Sequence, residues 1–455
     1  MDARSPGRWR REVLWVGLGQ LVATVGIVAG VRFLTTNLDP HQYGELAVGL
    51  TAAVLVNQLL IGPLTSSFVR FFAPAREGAG MAAYLAAIRR LAGFFAMGSV
   101  VAVVLFLFVG WFAPSHWVLV AVPAVCFSAL SGAEQSLDGI QNAARQRSIV
   151  AFHLALGAWG RLLAAYGLFR WFGPSSTNAL WGYAGATALL LVSQSYFFRR
   201  RIASLAERGS SSSLEERRAW TGRMLAFSQP FAVWGVFHWA LLVSDRYALG
   251  LFRDAGIVGL YNVVYQIGYY PIVMLSAVTM QVLVPILYNM AGDASDQERL
   301  HRSKTLALRL AFGFAVSALL AAAVAGVVHQ PLFDLLVGPN FRSASYLLPY
   351  MLLAAGLFTA AQIAGQSPLL ELDARKLLVP KLVTTSAGVL LNLVGAYFYG
   401  IEGVVGAGVV FSLFYFLWMM WLVGRGVGPL SPPSTDMESV DEQLAGPSVT
   451  SAQFL

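Results

Sequence analysis

Twelve apolar stretches, six on each side of an arginine-rich hinge, constrain this chain more than any other feature. They run over about Val13–Thr35, Gly44–Val69, Leu91–Phe112, Trp117–Leu137, Ile149–Leu168 and Asn178–Phe198, then Met224–Ala248, Ile257–Met290, Leu306–Val328, Tyr346–Gly365, Leu382–Tyr399 and Val404–Val423. Each is close to the roughly 20 apolar residues that a helix needs to cross a hydrocarbon core of ~30 Å. The eighth is long for one span and is expected to project from the membrane or to bend near Pro285. With 57% hydrophobic residues, 12% charged residues and a mean hydropathy of +0.64, the composition is not that of a soluble domain.

Charge supplies an independent check on the count. With the N-terminus inside, the inner segments collect 24 of the 31 Lys and Arg, including the central run Arg199-Arg200-Arg201. Only Arg170, Arg253 and Arg342 fall in outer loops, and Arg32, Arg161, Arg246 and Arg309 lie inside spans or at their ends. Cytoplasmic segments of membrane proteins carry this excess, and one helix more or fewer would invert every later loop. Both termini are therefore expected in the cytoplasm. The net charge of +8 is accounted for by insertion and by anionic headgroups, so nucleic acid is not an expected partner whereas membrane lipids are. Cys126 is the single cysteine, which excludes an intrachain disulfide. The basic start leads straight into a long span, so the first helix is expected to serve as its own insertion signal.

The organisation expected is all-α and integral to the membrane: twelve transmembrane helices in two six-helix lobes around a central cavity. Residues 1–200 form the first lobe, 201–223 a cytoplasmic Arg-rich linker, 224–427 the second lobe and 428–455 a disordered cytoplasmic tail rich in Pro, Ser, Thr and acids. The halves echo one another. Asp39 and Gly44 open the second span with the spacing of Asp254 and Gly259 before the eighth, and Ala144-Arg145-Gln146 parallels Ala374-Arg375-Lys376. Phe169-Arg170-Trp171-Phe172-Gly173 likewise parallels Tyr397-Phe398-Tyr399-Gly400. An even number of helices per half makes such copies parallel in the membrane, a common transporter plan with the substrate path between the lobes.

Several of these landmarks resemble the polysaccharide or oligosaccharide flippase family, relatives of the lipid II flippases and of the multidrug and toxin extrusion transporters. The resemblance lies in Ser244-Asp245-Arg246-Tyr247-Ala248-Leu249-Gly250 with Val258-Gly259-Leu260-Tyr261, and in Leu38 to Leu46 around Tyr43-Gly44. Phe68-Val69-Arg70-Phe71 and Gly400-Ile401-Glu402-Gly403-Val404-Val405-Gly406-Ala407 extend it, so that it covers most of the chain to about Gly424. It implies a bacterial inner-membrane, multi-pass flippase that moves an undecaprenyl-pyrophosphate oligosaccharide outward by alternating access, for cell-surface polysaccharide biosynthesis. Other glycan-assembly proteins would be further partners.

A pyrophosphate headgroup needs cations and donors within the membrane, where either partner buried alone is costly. Arg161, in the fifth span with His153 two turns before it, either faces a substrate cavity or pairs with a residue such as Glu134. Arg32 either contacts phosphate or snorkels to the headgroups. Asp245 and Arg246 are adjacent, about 100° apart on a helix, and are expected to point to different partners rather than to pair along one face. Gln20, Asn57, Gln58, His238, Asn262 and Gln266 sit in the first, second, seventh and eighth spans, which in the resembling family wall the cavity. Tyr261, Tyr265 and Tyr269 recur every four residues on one side of the eighth. Amides in such spans also simply hold helices together, at about 0.6 kcal/mol each.

No histidine pair has metal-ligand spacing and no phosphate-cradling loop is present, so neither a metal nor any other cofactor is expected. Coupling to H+ or Na+ through Asp245 or the histidines, or to the membrane potential, stays open. One rival is a cation-coupled drug or metabolite exporter of the same fold, a branch that wants a carboxylate in the first span, where Val13–Thr35 has none. Another is a membrane glycosyltransferase or ligase, which would need a sizeable outer domain. The longest outer connection here, about His329 to Ser345, is short, so the chain is not expected to be an enzyme.

Overall fold

A computed structural model describes residues 6–77, 80–112, 116–201, 213–291, 296–371 and 374–424. The expected tail and the first half of the linker lie outside the described residues. Helices account for nearly all of the rest: α1 (Pro6–Asn37), α2 (Pro40–Val56), α3 (Gly62–Glu77), α4 (Met81–Phe112), α5 (His116–Ala143), α6 (Arg147–Phe172), α7 (Ser176–Arg201), α8 (Leu214–Phe252), α9 (Ala255–Val264), α10 (Tyr270–Ala291), α11 (Gln297–Leu336), α12 (Leu348–Ala364), α13 (Ser367–Leu370) and α14 (Leu378–Gly424). One π turn, Asn57–Ile61, joins α2 to α3, and a second, Tyr265–Tyr269, joins α9 to α10. The chain is an all-α, multi-span membrane protein. Among the described residues eight helical segments are long and apolar enough to cross a bilayer.

That number and the twelve spans expected differ for identifiable reasons. One of the eight segments, Val379–Gly424, covers the eleventh and twelfth stretches together. It is not one rod. Gly400 has φ 63° and ψ −132°, outside the helical region, and a Cβ on Gly395 would sit 2.5 Å from the Gly403 carbonyl oxygen. Residues eight apart can meet this way only if the chain doubles back at Gly400, where glycine alone tolerates the positive φ. The sixth, seventh and eighth stretches correspond to α7, α8 and the α9–α10 pair, which are not among the eight.

Other boundaries also move. Helix α8 begins at Leu214, inside the stretch expected as linker, where Ser213 and Glu216 form a reciprocal capping box. The eighth stretch is interrupted by a π turn at Tyr265–Tyr269, after which α10 runs through residue 285 to Ala291.

The two echoed landmarks have the same structural job. Asp39 caps α2 by accepting from the Gln42 N–H, and Asp254 caps α9 by accepting from the Ile257 N–H. Five residues after each cap, Gly44 and Gly259 lie against one another: a Cβ on Gly44 would overlap the Ala255 carbonyl, and one on Gly259 the Pro40 carbonyl. Around this crossing a buried core draws Leu38, Leu46, Val258, Phe333 and Phe341 from both halves of the chain. A second junction lies at the other end of the bundle, where Trp220 and Met224 of α8 pack with Phe71 and Tyr84 of α3 and α4.

Candidate functional site

Between these junctions lies a cavity of about 320 Å³. Its walls come from both halves: Ala23 and Gly30 of α1, Tyr43 of α2, Arg161 of α6 and Tyr183 of α7 on one side, Asn262, Gln266, Tyr270 and Met274 on the other. Gly30 faces this space directly, since a Cβ there would meet nothing within 4 Å.

Arg161 is anchored within the first half. Its Nε donates to Thr187 Oγ1 at 3.2 Å, a terminal amine pairs with Glu134 Oε2 at 2.5 Å, and the guanidinium lies 5.6 Å over the Phe127 ring. One turn along α5, Asp138 accepts from Gln194 at 2.6 Å, and that same amide reaches Gln141 at 3.0 Å. Of the two situations expected for Arg161, the structure therefore contains both: it lines the cavity and it pairs with Glu134.

A matching cluster occupies the second half. Arg246 is 6% exposed; its Nε donates to Asn262 Oδ1 at 3.2 Å, and its guanidinium lies 4.1 Å over the Tyr265 ring. It also pairs with Asp245 at 3.3 Å, while Asp245 accepts from the Tyr261 hydroxyl at 2.5 Å. The expectation that Asp245 and Arg246 would not pair is thus corrected. Cβ positions 100° apart do not prevent contact when a long, flexible arginine stem folds back toward its neighbour. Asn262 joins this cluster to the cavity, so Arg246 stands one hydrogen bond behind the wall. Asp245 and Tyr265, with Tyr261 and Tyr269, line a smaller pocket of about 60 Å³ that lies among the second-half helices.

The other sequence candidates separate into different roles. Gln20 bridges α1 to Met274 at 3.8 Å, beside the cavity. Arg32 lies at the junction instead, where it donates to the Asp334 carbonyl at 3.1 Å and to the Val337 carbonyl. Nearby, the Gly338 N–H donates to Thr35 Oγ1 at 2.9 Å. Asn57 turns toward α5 and donates to Ser131 Oγ at 3.2 Å. The Gln58 carbonyl is packed against Gly235 of α8. His153 is 1% exposed and held by the Ile149 carbonyl and Ser193 Oγ, at 2.9 and 3.1 Å. The His238 side chain lies outside the described residues. Among the described residues, no group of three or more His, Cys, Asp or Glu is placed to hold a metal ion.

Sequence reasoning omitted Asp138, Tyr43, Tyr183 and Tyr270. Asp138 was detectable, because Glu134 and Asp138 share a helix face at i, i+4, but the fourth stretch was ended at Leu137. The arrangement as a whole is less cationic than expected. Arg161 and Arg246 each have a carboxylate beside them, as the expense of an unpaired charge in a low-dielectric slab demands.

Comparison with known proteins places the fold. A family model described as polysaccharide biosynthesis protein matches residues 10–291. The solved structure of the lipid II flippase MurJ in an inward closed conformation superposes with a TM-score of 0.66 at 11% identity, covering 91% of this chain and 87% of that one. An inward-facing multidrug resistance MATE family transporter of the MOP superfamily gives 0.57 at 15% identity, over 90% and 96% of the two chains. The Vibrio cholerae MATE transporter VcmN in its bent form gives 0.51 at 13% identity, over 92% and 98%. No curated protein matches the chain.

Proposed function

The chain belongs to the polysaccharide biosynthesis protein family, and from that premise we propose that it is an inner-membrane transporter, not an enzyme, working by alternating access. The observation that carries this reading is the cavity walled by both halves of the chain, which also pack on one another around Gly44 and Gly259 and around Trp220. Two six-helix lobes, twelve spans in all, would rock about the Gly44–Gly259 crossing and the α8 junction in turn. Tyr43, Arg161, Asn262, Gln266 and Gln20 are the groups that would meet the cargo. Arg246, Asp245 and Tyr265 would hold Asn262 in place, and Arg32 would act as a clasp.

Two finer readings of the cargo follow. The family description and Arg161 support a lipid-linked, undecaprenyl-pyrophosphate oligosaccharide. The geometry gives more support to a cation-coupled exporter of a drug or metabolite. The cavity, near the small end of the roughly 300–1,000 Å³ of small-molecule sites, suits a compact cargo better than a sugar chain. Arg161 is neutralised by Glu134, and Asp138 adds a second acid in the fourth span, a carboxylate supply that the first span lacks. Reconstituted vesicles separate the two. Export of a small organic cation driven by an imposed H+ or Na+ gradient supports the exporter. Movement of a fluorescent lipid-linked oligosaccharide between leaflets, with no cation efflux, supports the flippase; no movement of either rejects transport through this cavity.

A further inference from the structure

A cavity larger than the one between the halves lies elsewhere in the chain. About 720 Å³ lies within the first half, between α3, α4, α5 and α7. Its origin can be read from its walls. Over Met81–Val109 the most apolar 18-residue window of α4 has a mean hydropathy of 2.5, and none of that window is buried against the protein. Beyond Leu91 the helix stands away from its neighbours, and the facing positions Ala92 and Ala96 of α4 and Ala133 of α5 are too small to bridge the gap. The result is an apolar cleft. Packed cores do not leave voids of this size unfilled, and in a bilayer an apolar slot beside an unburied helix is open to hydrocarbon.

One end of the cleft has a different chemistry. Arg89 of α4 and Arg199 of α7 line it there, both exposed, and among the described residues neither has a carboxylate partner. In this they differ from Arg161, Arg246 and Lys304, whose positive charges are each matched by an acid. This end belongs to the arginine-rich face of the bundle, where Arg90, Arg200 and Arg201 continue the positive charge. An apolar slot with two free guanidinium groups at its mouth has the outline of a lipid: acyl chain inside, phosphate at the rim. Guanidinium groups suit phosphate oxygens through paired N–H donors.

We propose that this cleft is a binding site for an anionic phospholipid of the cytoplasmic leaflet, separate from the transport cavity. The lipid's chain fills the space between α4 and α5, and its phosphate bridges Arg89 and Arg199. In this way a membrane lipid completes the packing of a helix that the protein leaves uncovered. The proposal stands whichever cargo the other cavity carries.

Competition between phosphatidylglycerol and phosphatidylcholine of identical chains tests it, read as lipid retained by the full-length protein in native mass spectrometry. The wild type should retain the anionic lipid by at least tenfold, since a basic residue near anionic headgroups is worth about fivefold. Arg89→Gln with Arg199→Gln should abolish that preference, and Ala133→Phe, which fills the slot, should lower retention of both lipids. Equal retention of the two lipids by the wild type overturns the proposal without any variant. So does a preference that survives the double substitution, or displacement of phosphatidylglycerol by undecaprenyl phosphate at equal concentration, which would assign the slot to a prenyl carrier.

Discussion

At the scale of single residues, Arg161 holds two positions at once, and a double substitution tells them apart. Arg161→Ala alone leaves Glu134 buried without its partner, an uncompensated charge of the kind that costs about 3–5 kcal/mol. Loss of transport in that variant would therefore have two explanations. Arg161→Ala combined with Glu134→Ala removes the stranded charge, so thermal stability should recover most of the deficit. If the guanidinium also meets the cargo, transport stays absent in the stable double variant; recovered transport would reduce Arg161 to a strut. Gly30 offers the converse experiment, since it faces open cavity and carries no polar group. Gly30→Leu should block transport while the melting temperature holds or rises, because leucine favours a helix over glycine by about 1 kcal/mol. Arg161, Asn262 and Gln266, polar residues within spans of the sequence, line the cavity between the halves. Which face each one presents depends on how the helices rotate against one another. Asn57 and His153 satisfy the same sequence criteria, yet they turn to α5 and α7. Tyr43, which the sequence offers only within the Tyr43-Gly44 motif, also reaches the wall.

At the scale of elements, the legible features are those set by local chemistry. The shared spacing of Asp39–Gly44 and Asp254–Gly259 is legible as a repeat, but that each aspartate caps its helix and that the two glycines approach each other is seen only in the structure. Helix ends are less legible on the arginine-rich side. There α8 and α11 run about ten residues beyond their apolar stretches into polar sequence, since hydropathy marks the membrane and not the helix. Helix α4 starts about ten residues early, through residues 81–90, where Met81, Tyr84 and Leu85 are core residues. One consequence can be measured at the start of α11. Lys304 and Lys376 both bind Glu371, the latter at 2.6 Å, tying α11 to the segment that follows α13. Burial alone would push the Glu371 carboxyl up, but the hydrogen bonds and charges of the two lysines outweigh it and hold it below its ordinary value of 4.5. A lowered carboxylate stabilises the fold above pH of about 4.5 and loses that contribution as pH falls through its own, lower value. Unfolding of the purified protein should therefore grow easier with acidification in this window. Glu371→Gln takes the carboxylate away from the buried Lys304 ammonium, so it should cost about 3 kcal/mol at neutral pH and flatten the acid dependence.

At the scale of the whole molecule, the closed junction around Gly44 and Gly259 is what an alternating-access cycle would have to open. It is held by apolar burial, by the Arg32 and Thr35 contacts to the end of α11 and the segment after it, and by the edge-on packing of Tyr43 on Phe341 at 5.4 Å. Such a junction is reversible in principle, because its polar contacts are few and its glycine crossing involves no interlocked side chains. Tethering it tests the motion; because Tyr43 also lines the cavity, the unbridged double variant sets the reference rate for the bridged one. In a background with Cys126→Ser, which removes the single native thiol, Tyr43→Cys with Phe341→Cys can be bridged by a short bifunctional thiol reagent. Each single-cysteine variant treated in the same way should transport at its untreated rate, whereas the bridged pair should fall to background. A cleavable bridge should then restore transport on reduction. Undiminished transport with the bridge closed would mean that cargo crosses without this junction opening, and the two-sided cycle would have to be abandoned even though the cavity remained.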